Sequence, residues 1–257
     1  MIKSIKKGIK KILWSIGLEI KKVNKEVTFT SFDEIYKKKL DNASLIFDIG
    51  ANQGQSIERF KSLFPFAKIH AFEPIKFEFN KLKEKYSNDT NVILNNYAVA
   101  EVSGEREFNI TAKTGNSSFN KIKSNTKWLK VRSKQFKTSE EEYVKKIEKV
   151  KIVTLDDYCR ENQIKKIDLI KIDTQGYEDK ILSGAQSILS KNIISAIECE
   201  IMLDNVYEKY LNFSDLEKYL VPNNFRIVGI NMINNNLFSG LTFFGDLVYF
   251  NKNKFEL

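Results

Sequence analysis

The chain has 257 residues, 42% of them hydrophobic and 12% aromatic, with three prolines and eleven glycines. That composition excludes a disordered or fibrous protein, and the length suits one α/β domain with a large core while leaving a second full domain cramped. The net charge of +9 is concentrated: residues 1–25 and 120–151 carry +7 each, so the remainder sums to −5, which weakens a whole-chain case for nucleic-acid binding. Cys159 and Cys199 show neither metal-ligand spacing nor a disulfide framework, as expected of two buried thiols in a reducing compartment.

Residues 1–30 read as a basic amphipathic appendage ahead of a domain at 31–257. Ile2, Ile5, Ile9, Ile12, Leu13, Ile16 and Ile20 recur at helical spacing with lysines between them. The longest apolar run, 12–18, is broken by Ser15 and Gly17 and is too short to cross a bilayer, and no small-residue cleavage site follows it. Two readings stand for this helix. It packs against the domain, or it lies on an anionic membrane surface with Trp14 at the headgroups, a cytoplasmic protein in one case and one peripheral to the inner membrane surface in the other.

Further along, 45–49 reads as a buried strand, 57–64 as a helix, 68–72 as a strand, 77–86 as a helix and 92–94 as the start of a third strand. "EVSGEREFNI" around Gly104 predicts a hairpin. Residues 120–150 form a basic insertion, expected to be solvated or partly ordered, although Trp128 and Phe136 among the lysines keep a lid open as a reading. "VKIVTL" is a strand, and "KKIDLIKID" is a strongly apolar strand ending at Asp173. A helix near 178–190, a strand at 193–201, a helix at 214–220 and strands at 225–230 and 247–250 complete the chain. Alternation of this kind predicts a mostly parallel sheet covered by helices.

In such sheets ligands bind beyond the carboxyl ends of the strands, where the strand order reverses. The residues ending the predicted strands are Asp48 and Gly50, then Glu73, then Asn96 and Ala98, then Asp173. Carboxylates at these places repel a pyrophosphate. The dinucleotide fingerprint Gly-x-Gly-x-x-Gly also fails twice: counted from Gly50, its second glycine is Asn52 and its third Gln55, with Gly54 still permitting a tight turn. A nucleoside with a diol and a positive centre fits better, and S-adenosylmethionine has both. Glu73, nineteen residues after Gly54, stands where an acid accepts from ribose hydroxyls. His70, the sole histidine, lies inside a strand and reads as a packed residue rather than a catalyst.

"FDIGANQGQS", "HAFEP", "NNYAVAEVSGEREF", "GNSSF", "VTLDDY", "LIKIDTQGYEDKILSGA" and "IECEI" occur in that order from about Leu45 to Leu203. Together they resemble the FkbM-type methyltransferases, class I enzymes that use S-adenosyl-L-methionine. The resemblance implies a class I methyltransferase Rossmann-like fold, with a seven-stranded mostly parallel sheet and helices on both faces. It also implies methyl transfer to oxygen, with acceptors that are often sugars, glycans or polyketide-type products. On the same resemblance Asp48, Gly50, Asn52, Gly54 and Glu73 match the cofactor motif, and Asn96 with Ala98 falls where the adenine is held. "DTQGYE" stands where the family often reads Asp-x-Glu-Gly-x-Glu. Gln175 therefore replaces an acid with a neutral amide, which weakens any role for that carboxylate as base or metal ligand; no metal is expected.

Methyl transfer is a displacement at carbon, so holding the acceptor in line does most of the work. A hydroxyl acceptor must also lose a proton. Asp173 is the candidate base, its carboxyl expected to be raised toward neutral pH by partial desolvation; holding the cofactor or acceptor is its rival role. Glu198 and Glu200 share one face of the next strand with Cys199 opposite, so one reaches the acceptor or is a buried acid paired with Lys171. Asn116, Ser117 and Ser118, with Gln175, are candidate acceptor contacts, or the first three simply build a turn. The leading function is an O-methyltransferase acting on a sugar, glycan or related small molecule, with no nucleic-acid partner expected. A nucleotide-dependent oxidoreductase and a non-catalytic membrane-surface or nucleic-acid module are the alternatives.

Overall fold

The structure, a computed structural model, describes residues 13, 31–203, 206–209, 211–234 and 242–255. The amphipathic reading of residues 1–30 therefore falls outside the described residues apart from Leu13. Helix α1 (Phe32–Lys39) opens on Ser31, whose hydroxyl accepts from the Glu34 amide at 3.3 Å, with Asp33 in the first turn and lysines in the last, the charge order that a helix dipole favours. Then come β1 (Leu45–Ile49), α2 (Gln55–Leu63), β2 (Lys68–Phe72), α3 (Lys76–Lys85) and β3 (Val92–Asn95). An excursion follows through β4 (Ala98–Val99), β5 (Gly104–Thr111), α4 (Lys127–Gln135) and β6 (Val144–Val153). The second half runs α5 (Leu155–Glu161), β7 (Ile167–Ile172), α6 (Glu178–Ser183), α7 (Gln186–Ser190), β8 (Ile194–Met202), α8 (Phe213–Leu220), β9 (Phe225–Asn234) and β10 (Thr242–Asn251).

Seven strands form the main sheet in the order β3-β2-β1-β7-β8-β10-β9. β10 runs antiparallel to both its neighbours, and the other pairings are parallel. This is the seven-stranded, mostly parallel α/β architecture expected of a class I methyltransferase. Every residue of the central strands β7 and β8 is buried, because helices cover both faces and no solvated side remains for polar alternation. Neighbouring positions in one strand feed opposite layers: Phe47 joins Leu155, Ile170 and Ile181, whereas Ile46 joins Ile57, Phe60 and Leu169. The strand order reverses between β1 and β7, which opens a crevice at their carboxyl ends.

Three elements differ from the sequence expectation. "EVSGEREFNI" is no hairpin: β4 and β5 both pair with β6, about forty residues on, in a separate sheet of order β4-β6-β5. The basic segment is folded, with Trp128 and Leu129 of α4 buried against Tyr143, Val206 and Tyr207 while its lysines face outward. The single helix expected at 178–190 breaks at Gly184, where a Cβ would stand 2.3 Å from the Ala100 carbonyl oxygen.

Candidate active site

The two central strand ends are pressed together. Asp173 N donates to the Ile49 carbonyl at 3.0 Å, and Gly50 N and Ala51 N both donate to the Phe72 carbonyl at 3.0 Å. Gly50 has φ +90°, and a Cβ there would lie 2.0 Å from the Asp173 carbonyl oxygen, so only glycine permits this contact. A cleft of about 460 Å³ opens beside it, lined by Asn52 of the turn after β1, Gln55 at the start of α2, Glu73 after β2, Ala98 of β4, Ser117 and Asp173 after β7. Phe108 of β5 and Phe119 bring the small sheet over the same cleft.

Glu73 is 4% exposed. Its oxygens accept from the backbone amides of Ile75 at 2.7 Å and Asn52 at 2.8 Å, yet burial outweighs both bonds and pushes the carboxyl up to about 7. Each oxygen keeps a further acceptor position toward the cleft, which fits a ribose diol. Asp48, 0% exposed, is not among the residues lining the cleft, and neither of its carboxyl oxygens is hydrogen-bonded. Burial, opposed by Lys171 in register on β7, raises it to about 7. A buried carboxyl without hydrogen-bond partners two residues before Gly50 favours positive charge in its neighbourhood.

Asp173 accepts from Lys171 Nζ at 2.8 Å and from Gln175 Nε2 at 3.2 Å. Burial works against its charge, but the adjacent ammonium prevails and holds the carboxyl below the ordinary range. The expectation of a raised Asp173 is corrected: the lysine two residues earlier on the same strand face reverses the sign. The raised member of the pair is Glu200, pushed well up by burial and by the neighbouring Asp173 charge. Within the pair the bias is toward charge on Asp173 and a proton on Glu200.

Gln175 joins them. Its Nε2 also donates to Glu200 at 2.6 Å, while its Oε1 accepts from Asn116 Nδ2 at 3.2 Å and Tyr207 OH at 3.2 Å. Tyr143 OH in turn donates to Asn116 Oδ1 at 3.1 Å. An amide with two donors and an acceptor oxygen satisfies all four neighbours, which a carboxylate lacking donors does not.

The remaining candidates lie as follows. Asn116 belongs to this buried network; Ser117 Oγ accepts from Thr111 N at 3.1 Å, and Ser118 Oγ donates to the Gln175 carbonyl at 3.0 Å, tying the loop to the end of β7. Asn96 does not line the cleft: its Nδ2 donates to the carbonyls of Glu73 at 2.9 Å and Pro74 at 3.0 Å, holding the backbone that presents Glu73. Glu198 is turned to the helices covering the sheet, accepting from Tyr36 OH at 2.5 Å and Arg59 NH1 at 2.7 Å, so Lys171 hydrogen-bonds Asp173 rather than either glutamate. His70 stacks on Phe47 with centroids 5.2 Å apart, and its Nδ1 is 2.7 Å from Tyr158 OH; burial lowers it to about 4, as fits a packed residue. Sequence reasoning missed Lys113, Tyr143 and Tyr207. Lys113 had a signal, its place two residues before "GNSSF"; the tyrosines had none, since only folding brings them to Gln175. Among the described residues no group of three or more His, Cys, Asp and Glu is arranged to hold a metal ion.

Comparison with known proteins follows the same lines. The FkbM methyltransferase domain matches residues 48–227. The 2-O-methyltransferase NoeI of Sinorhizobium fredii is 28% identical over 149 residues, 57% of this chain and 59% of that protein, so the chain spans about three-fifths of that relative's length. An rRNA methylase from Streptococcus thermophilus superposes over 87% of this chain and 99% of its own with a TM-score of 0.47 at 12% identity. The 1,6-didemethyltoxoflavin-N1-methyltransferase of Burkholderia thailandensis, solved with S-adenosylhomocysteine, covers 85% of this chain and 76% of its own with a TM-score of 0.44 at 10% identity. Because the match runs from Asp48 of β1 into β9, across well over half of its length, the chain belongs to the FkbM methyltransferase family, whose members use S-adenosylmethionine.

Proposed function

We propose that the protein is an S-adenosylmethionine-dependent O-methyltransferase acting on a hydroxyl of a sugar, glycan or related small molecule. The observation that carries the reading is the cleft at the strand-order reversal. It is flanked by the carboxyls of Glu73 and Asp173 and lined by Asn52 and Gln55 where a pyrophosphate site has glycines. The resemblance to a 2-O-methyltransferase supports oxygen as the acceptor atom.

When bound, the cofactor supplies an electrophilic methyl carbon on sulfur. Glu73 then holds the ribose hydroxyls, Ile75, Ala98 and Phe108 enclose the adenine, and the buried Asp48 favours positive charge near Gly50. Asp173, ionised and held by Lys171 and Gln175, orients the acceptor hydroxyl and receives its proton. A carboxylate of depressed pKa suffices because the hydroxyl proton becomes strongly acidic as the new O–C bond forms. Positioning remains the larger contribution. Asn116, Ser117 and Ser118 shape the acceptor side of the cleft by fixing the loop against Gln175. Contact of residues 1–25 with an anionic membrane surface belongs to the same proposal and rests on their sequence alone.

Calorimetry with S-adenosylmethionine and with a nicotinamide dinucleotide, followed by transfer of a labelled methyl group to nucleotide sugars and surface-glycan fragments, tests the reading. Binding of the first ligand only, with label recovered as an alkali-stable methyl ether, is expected. Retention of the dinucleotide alone would revive the oxidoreductase alternative.

A further inference from the structure

Lys113 is the single cation lining the cleft among the described residues, where the other charged lining groups are the carboxyls of Glu73 and Asp173. It stands at the end of β5, in a loop fixed from several sides. Its own carbonyl accepts from Thr111 Oγ1 at 2.6 Å and from Asn116 N at 2.8 Å, and Thr114 Oγ1 donates to Glu78 at 2.8 Å. Two groups converge beside Gly115: Asn52 Nδ2 and Lys113 Cε lie 3.5 and 3.9 Å from the place a Cβ there would occupy. The lysine is therefore held against the turn after β1, near the Asp173 end of the cleft.

Its ammonium has no hydrogen-bond or ion-pair partner among the described residues, although the Asp173 carboxylate acts on it electrostatically. Burial and the nearby Arg132 lower its pKa, so the charge is only partly compensated. Lys113 is an exposed cation in the wall of the cleft with no counter-ion of its own, and it is placed to meet an anionic group on a ligand. The ligand of this cleft carries two cationic groups and one carboxylate. The carboxyls of Glu73 and Asp173 answer its diol and its cations. Only Lys113 is matched to an anion.

We infer that Lys113 binds the carboxylate at the methionine end of the cofactor, with Asn52 beside it. This rests on the cofactor reading above and adds a residue that the strand-end motifs do not contain. Charge-assisted hydrogen bonds of this kind are strong in a partly desolvated site. Losing one should weaken binding by about 10- to 100-fold.

The test is calorimetry on the full chain with two probes, S-adenosylmethionine and its decarboxylated analogue, using wild type, Lys113→Met and Lys113→Arg. Lys113→Met is expected to weaken S-adenosylmethionine by that factor and to leave the decarboxylated analogue within about twofold of wild type, while Lys113→Arg keeps most of the affinity. If Lys113→Met binds S-adenosylmethionine as wild type does, or loses both ligands equally, the inference fails, the first result pointing to an anionic acceptor and the second to a merely structural lysine. A wild type that binds neither probe would instead overturn the cofactor reading, and this inference with it.

Discussion

Glu73 carries the cofactor proposal at the level of a single residue. Replacing it by Gln preserves the shape but halves the acceptor capacity facing the ribose, so S-adenosylmethionine affinity measured by calorimetry should fall by about 10-fold or more with the fold intact. Asp173→Asn keeps the Lys171 and Gln175 geometry nearly unchanged and removes the proton acceptor. Turnover should drop about 100-fold or more while the dissociation constant of the cofactor moves less than about fivefold; equal losses in both would make Asp173 a holder of the cofactor instead. The buried acids also set a pH dependence. Asp48, Glu73 and Glu178 are all raised to about 7, chiefly by burial. The folded chain then binds more protons than the unfolded one between the ordinary carboxyl range and about 7, so stability without ligand falls as pH rises through that window. Melting temperatures at pH 5.5 should exceed those at pH 8, and Asp48→Asn, which mimics the protonated acid, should flatten the difference. The positions of Asp48 and Glu73 were legible as strand ends, whereas Glu178, the first residue of α6, carried no such signal. Their protonation was not legible, because it depends on the depth of burial and on neighbours brought up by the fold, such as Lys171 beside Asp48.

Among the elements, the junction of β1 with β7 and the packing of α4 make the sharpest demands. Gly50→Ala would force a methyl to within 2.0 Å of the Asp173 carbonyl at a φ of +90°, so the strand ends must separate. A loss of about 2–4 kcal/mol in denaturant unfolding, together with loss of cofactor binding, is expected. Trp128 is buried on Tyr143 in edge-to-face contact, 5.8 Å between centroids, and Tyr143 reaches Gln175 through Asn116. Trp128→Ala should cost about 3 kcal/mol and loosen that support for Asp173, visible as reduced turnover in the fraction that remains folded. Strands whose side chains alternate or are wholly apolar announced themselves in the sequence, including the strand at 68–72 to the residue. The partner of β5 did not. Its neighbour β6 lies beyond a helix and a loop, and pairing at that separation leaves no mark on local periodicity.

For the molecule as a whole, a localised +14 on two segments and a negative remainder already indicated that basicity is peripheral to the chemistry. Removing residues 1–25 should leave cofactor affinity unchanged and abolish co-sedimentation with anionic vesicles; retained sedimentation would place the membrane contact elsewhere or exclude it. No helix of the described residues is long and apolar enough to cross a membrane. By itself the sequence determined the α/β class, the strand ends that carry Asp48, Glu73 and Asp173, and a turn unsuited to pyrophosphate, because these follow from side-chain type and local period. Only the tertiary structure decided that the Asp173 carboxyl is held down while that of Glu200 is pushed up, that Asn96 and Glu198 support rather than line the cleft, and that Lys113 lines it. Desolvation and charge pairing act through space, among groups far apart in the chain, and those distances exist only once the sheet has closed.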